Sequence, residues 1–264
     1  MKDITIIIPL HDVSAPYIEM SKKALESVKK CGEYYKSGKL IPMFVIPSSY
    51  DCPVFEGYEN ITFTTNDGKT DFCSQVNKGV SETKTDYFSI LEVDDTYAPK
   101  WFKMCEEYWN TNEDVSIFLP INVQSNADHT KWQYANELPL AMSFSNEIGV
   151  IDKDCLENCS TFNLTGAVFN TSDFIESGML KPSIKVAFYY EFMLRYAEQG
   201  LKMLVVPKEG YYHVIGRKDS LSDIYAKEIP DNEISLWFDL AKRECVYKTD
   251  RWKTIVMPKK ETLK

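Results

Sequence analysis

The sequence predicts an α/β protein built on one central, mostly parallel sheet, closed by a helical C-terminal extension. Three observations carry that expectation. Strand-like and helix-like stretches alternate four times in about the first hundred residues, the order of an α/β layer structure. The first strand candidate is an unbroken β-branched run, which suits a strand covered on both faces. The chain then ends on an amphipathic stretch at helix spacing, with Ile234, Trp237, Phe238, Ala241 and Cys245 on one face.

The elements follow in order. Ile4-Thr5-Ile6-Ile7-Ile8-Pro9 is the first strand, and a helix is expected from about Tyr17 to Tyr34, where Met20, Ala24, Leu25 and Val28 recur. Leu40 to Ile46 is a second buried strand, closed by Pro47-Ser48-Ser49. Ile61 to Thr65 is a short strand, Thr70 to Val80 a helix, and Tyr87 to Leu91 a strand. Val115 to Leu119 reads as another strand. About forty residues up to Phe162 then lack firm periodicity, and a connection of that length is usually functional or partly mobile. Ala167 to Phe169 (strand), Phe188 to Gln199 (helix), Lys202 to Val206 (strand, stopped by Pro207) and Asn232 to Val246 (helix) complete the reading.

At 264 residues the chain can bury a substantial core. Its 44% hydrophobic and 26% charged residues are ordinary for a globular protein. No run approaches the roughly 18 apolar residues of a membrane span, and Met-Lys-Asp followed at once by a strand lacks a signal-peptide design. The seven cysteines are scattered, and only Cys155 and Cys159 are close. Reduced thiols in a cytoplasmic protein are expected, so the sequons at Asn60 and Asn163 are discounted. The net charge of −9 opposes broad attraction to nucleic acid. From Lys242 to Lys264, however, eight Lys or Arg stand against three Asp or Glu.

The stretch richest in chemistry is Glu92-Val93-Asp94-Asp95 at the end of the Tyr87 strand. Three carboxylates there repel one another unless a cation joins them. Oxygen ligands favour Mg²⁺ or Mn²⁺, and such an ion commonly holds a diphosphate. The plainer reading is a solvated acidic turn that caps the helix opened by Pro99.

With these pieces in order, the chain resembles family-two glycosyltransferases. The resemblance rests on Thr5-Ile6-Ile7-Ile8-Pro9, Asn66-Asp67-Gly68, Gln75-Val76-Asn77-Lys78-Gly79 and Leu91-Glu92-Val93-Asp94-Asp95. It continues through Leu164-Thr165-Gly166 with Phe169, Gly178, Glu191-x-x-x-Arg195, and His213 with Arg217 and Ser220. It implies a GT-A, Rossmann-like domain over residues 1–222, with a nucleotide-binding half to about 100 and an acceptor half from about 101. Residues 223–264 would then be an amphipathic helix and basic tail on the same domain. The implied activity is metal-dependent transfer of a sugar from a nucleoside diphosphate sugar, a UDP-sugar first, by inverting displacement. The implied donor contacts are Pro9, His11, Asp67, Asn77, Gly79, Asp94 and Arg217. The implied metal set is Asp94, assisted by Glu92 or Asp95, with His213, around Mn²⁺ or Mg²⁺. The compact length also resembles stand-alone glycosyltransferases of large tailed bacteriophages, some of which modify DNA. That suggests a hydroxymethylated base of phage DNA as acceptor, ahead of a glycan or a protein, in the host cytoplasm.

Three departures stand out. No acidic residue follows the second strand, so base recognition passes to Asp51, Asp67 or Asp71, or works differently. Glu92 replaces the first Asp of the usual Asp-x-Asp, which makes Asp94 the safer ligand. The Glu-Asp pair that carries the base in inverting members falls on Phe188-Tyr189 when aligned on Arg195. Glu191 is then the nearest carboxylate and the candidate base, or alternatively the ion-pair partner of Arg195 four residues on. Trp132, Tyr134, Asn136 and Glu137 could bind a sugar or pin a long loop. His129 gives little to argue from. Two other readings compete. A nucleotidyltransferase would want a glycine- and arginine-rich loop after the first strand, which Leu10-His11-Asp12-Val13-Ser14 is not. A non-catalytic carbohydrate-binding or structural module would keep the fold and lack the base.

Overall fold

The computed structural model describes residues 2–246 except 59–60, 127, 129, 142–145 and 219. The basic run beyond 246, His129 and the Asn60 sequon lie outside these residues, as does the Cys245 side chain.

The molecule is organised around one sheet, in the order β3 (Thr62–Thr65), β2 (Leu40–Ile46), β1 (Ile4–Pro9), β4 (Tyr87–Ile90), β9 (Val168–Asn170), β6 (Val115–Asn126), β10 (Lys202–Ile215) and β5 (Thr96–Tyr97). β1 (Ile4–Pro9) is fully buried along its length and sits between β2 (Leu40–Ile46) and β4 (Tyr87–Ile90), parallel to both. Such a position has no wet face, which is why the strand is written in isoleucines. β3 (Thr62–Thr65) extends the parallel set at the edge. β9 (Val168–Asn170) is inserted antiparallel between β4 and β6 (Val115–Asn126), and β6 is parallel to β10 (Lys202–Ile215). All the long strands therefore point the same way, and their carboxyl ends share one edge.

Helices cover both faces. α1 (Ala15–Tyr34) and α3 (Trp101–Trp109) lie over one core, which includes Ile6, Ile8, Phe44, Trp101 and Phe102. α2 (Phe72–Glu82) and α6 (Phe188–Glu198) lie over the other, with Ile7, Val76, Phe88, Phe169 and Phe192. Gly79 lets α2 sit close on the sheet: a Cβ there would come within 2.7 Å of the Ile7 side chain and 3.0 Å of Val45. α8 (Asp231–Val246) follows α7 (Leu221–Glu228) and packs on α6, where Phe238 meets Tyr190. No helix among the described residues is long and apolar enough to cross a membrane.

The long connection is more structured than its sequence suggested. β6 runs on to Asn126 and turns back into β7 (Trp132–Ala135). β8 (Val150–Ile151) and α4 (Lys153–Asn158) follow, and α5 (Thr171–Glu176) comes directly after β9. Trp132 and Tyr134 are more than half exposed on β7, while Asn136 is buried and ties this segment to the carbonyls of Pro120 and Asn163. The second correction concerns β10, which does not stop at Pro207. It continues to Ile215 because Pro207 falls where the pairing with β6 shifts register, between Val205 and Glu209. A proline lacking its N–H costs no ladder bond at such an irregularity.

Candidate active site

The continuation of β10 builds the site. After β4 the chain makes a tight turn, with the Asp95 N–H donating to the Glu92 carbonyl, and enters β5 (Thr96–Tyr97). β5 pairs antiparallel with Tyr211 and Tyr212 of β10. That register sets His213 beside the carboxylates. Asp95 accepts from the Val214 N–H at 2.8 Å, and its second oxygen meets His213 Nδ1 at 2.7 Å. The Tyr211 hydroxyl receives the Glu92 N–H at 3.0 Å. Gly166, at φ +80, leaves room for the Tyr211 ring, and its carbonyl accepts from Trp101 Nε1 at 2.8 Å.

Glu92, Asp95 and His213 place one ligand atom each within 4.8 Å of one another. Burial and the neighbouring Asp95 push the Glu92 carboxyl up to about 8. Burial likewise raises Asp95, against the pull of His213. For His213, burial acts downward, but Asp95 and Glu92 outweigh it and lift the imidazole to about 9. Two carboxylates and one imidazole so placed are short of positive charge, the condition a divalent cation relieves.

Asp94 takes a different partner. Its Oδ2 accepts from Arg217 Nε at 2.7 Å, and the guanidinium lies 5.6 Å from the Tyr17 ring centre, where His11 packs edge-on at 4.8 Å. These groups form one cleft at the carboxyl edge of the sheet. It is lined by Pro9, His11, Glu92, Asp94, His213 and Arg217, together with Phe72, Gln75 and Ser220. Ligands in open α/β sheets bind at that edge.

Other expected residues stand elsewhere. Asp67 is exposed in the turn after β3. Asn77 closes a pair of hydrogen bonds with the backbone of Leu180, at 2.7 and 3.1 Å, and Gly79 serves helix packing. Neither lines the cleft. Glu191 is fully buried and bonded to Arg195 through both oxygens, at 2.9 and 3.1 Å, with Lys181 Nζ at 2.7 Å. Arg195 in turn donates to the carbonyls of Ser177 and Met179. The arrangement is the i, i+4 ion pair weighed from the sequence. Tyr17 and Phe72 escaped the sequence reading because nothing local marks them as site residues, and Gln75 entered it only as one position of a motif. Tyr189 carried a signal: it occupies the position where the carboxylate pair was missing.

With the geometry established, the similarities can be placed. Residues 53–168 match the Glycosyl transferase family 2 model. No curated protein sequence matches. Three solved structures of S. aureus TarS share the fold. TarS aligns with a TM-score of 0.58 at 14% identity, covering 99% of this chain and 46% of the other, so the chain spans about half the length of that one. TarS 1-349 in complex with UDP aligns at 0.60 and 14% identity, covering 94% of this chain and 71% of the other. Its complex with UDP-GlcNAc aligns at 0.62 and 13% identity, over 94% and 72%. The fold is GT-A, shared with these structures, and the family match falls on residues 53–168 of it, the segment that carries β4 and its acidic strand end.

Proposed function

We propose that the chain moves a sugar from a UDP-sugar to an acceptor hydroxyl, with Mn²⁺ or Mg²⁺ held by Glu92, Asp95 and His213. The observation that supports this most is convergence. Pro9, His11, Glu92, Asp94, His213 and Arg217 come from three distant stretches of chain and line one cleft. The fold is shared with a protein solved with UDP and with UDP-GlcNAc.

The donor set of two carboxylate oxygens and an imidazole nitrogen suits such an ion. When bound, the ion supplies charge stabilisation for the departing diphosphate. Arg217 is fixed at one nitrogen by Asp94, and its remaining N–H groups serve phosphate oxygens in the planar geometry Arg favours. The Tyr17 ring beneath it limits its swing. The acceptor oxygen bonds to the anomeric carbon as the bond from that carbon to the diphosphate oxygen breaks, the electron pair leaving with UDP. The acceptor proton passes to a base or to solvent. A single displacement of this kind inverts the anomeric centre, as the family resemblance implies. Glu191 acts as a positioning residue: with Arg195 and Lys181 it fixes the chain from Ser177 to Lys181. For the acceptor, a hydroxymethylated DNA base stands ahead of a glycan or a protein.

One observation favours a second reading, a module that binds nucleotide without turnover: positions 188–189 hold Phe and Tyr in place of the carboxylate pair. UDP release from UDP-sugars, measured with Mn²⁺ and with chelator, separates the two. Metal-dependent release supports transfer. Binding without release supports the module, and neither binding nor release overturns both.

A further inference from the structure

Glu92, His213 and Phe72 also line a second, adjoining cleft of about 350 Å³, shared with Asn163, Lys185, Phe188, Tyr189, Tyr225 and Ile234. Whatever occupies it meets the contents of the first cleft at Glu92 and His213. Its walls are mostly aromatic and aliphatic. The Phe188 and Tyr189 rings lie 4.5 Å apart between centroids, and Phe72 packs against both, at 5.6 and 5.9 Å. Tyr225 comes from α7 and Ile234 from α8, so the C-terminal helices form one wall.

The polar groups are few. The Tyr189 hydroxyl is buried and has no hydrogen-bond partner among the described residues. The Asn163 oxygen is held by Thr165 N and Oγ1, at 2.9 and 2.7 Å. Lys185 is exposed, with its ammonium 5.9 Å from the Tyr225 ring centre. A polyhydroxylated sugar would bury several hydroxyls here without partners, at a cost of about 1–3 kcal/mol each. A flat ring would stack on the aromatic walls. The cation at the rim favours a neighbouring anion.

Building on the glycosyltransferase reading, we propose that this second cleft binds the acceptor as a flat, largely apolar ring. That ring carries the reacting hydroxyl and sits beside an anionic group. The Tyr189 hydroxyl, standing where the carboxylate pair is missing, bonds the acceptor and orients it toward Glu92 and His213. Two sources share this chemistry: a hydroxymethylated pyrimidine nucleotide and a hydroxymethyl aryl acid.

The test is calorimetric titration of the UDP- and Mn²⁺-loaded protein with four probes. These are hydroxymethyl-deoxycytidine monophosphate, its nucleoside, hydroxymethylbenzoate and methyl glucoside. Both anionic planar probes bind, with the tighter one naming the source, and the nucleoside binds about tenfold more weakly than its phosphate. Lys185→Ala erases that tenfold difference. Tyr189→Phe lowers planar-probe affinity about fivefold while its Tm holds or rises, because a merely structural hydroxyl without a partner is no loss. Glucoside binding as tightly as the planar probes, or no planar probe binding to the UDP-loaded protein, overturns the proposal. Failure of UDP itself to bind counts instead against the donor reading, and the planar probes then test the cleft on the free protein.

Discussion

Two groups of buried or half-buried carboxylates sit on opposite sides of this molecule's functional question, and they are satisfied in opposite ways. Glu191 has two cations of its own, Arg195 and Lys181, and lines neither cleft. Glu92 and Asp95 share a single imidazole and are raised in pKa by burial and by each other, with Glu92 facing both clefts. Burial alone therefore does not mark a catalytic carboxylate. What decides is whether the fold supplies compensating charge, and only the strand-end pair is left short of it.

The largest effect expected from this contrast is on turnover. Asp95→Asn keeps the shape and the contact to Val214 N–H but removes a charge, and should lower metal-dependent sugar transfer about 10²- to 10³-fold. Initial rates at saturating donor check this, and a loss under tenfold would place the metal elsewhere. Glu191→Ala should act on stability instead, costing about 3–5 kcal/mol because Arg195 is left uncompensated. Urea melts read the stability. A folded variant with normal stability and no turnover would restore Glu191 to the chemistry.

Gly79 offers a more local probe of the sheet that holds both clefts. Gly79→Val should cost about 1–3 kcal/mol by driving α2 off Ile7 and Val45. An unchanged Tm would contradict the close approach.

The smallest effect is in pH dependence. Glu92 and His213 have folded pKa values of about 8 and 9, above their ordinary 4.5 and 6.5. Each therefore favours folding while protonated, and that contribution is lost as pH rises through about 8 and then 9. A metal must displace those protons, so Mn²⁺ affinity should climb between about pH 6.5 and 9 and level off above. Titrations across that range would show it, and a flat profile would separate these groups from the metal.

Much of the fold was legible because burial is written into composition. A strand covered on both faces needs an apolar run, and β1, β2 and β4 supply one. β10 was half hidden: Pro207 reads as a stop, and only its pairing with β6 reveals that the proline falls at a register shift. Of the residues singled out in the sequence, Pro9, His11, Glu92, Asp94, His213 and Arg217 line the candidate cleft and Asp67, Asn77 and Gly79 do not. The sequence favoured Asp94 as the safer ligand over its neighbour Asp95. The antiparallel pairing of β5 with Tyr211 and Tyr212 turns Asp95 toward His213, and Asp94 meets Arg217. That choice depends on contacts more than a hundred residues apart in the chain, which no local pattern records. Asn77 and Gly79 show the converse: motif residues whose visible duties are to hold Leu180 and to seat a helix.

The most direct test of the contrast is Mn²⁺ binding itself, followed by loss of the free-ion paramagnetic resonance signal in the presence of UDP. Wild type and Glu191→Gln should bind the ion alike, while Asp95→Asn should lose it. Undiminished binding by Asp95→Asn, or its loss in a folded Glu191→Gln protein, would contradict the account.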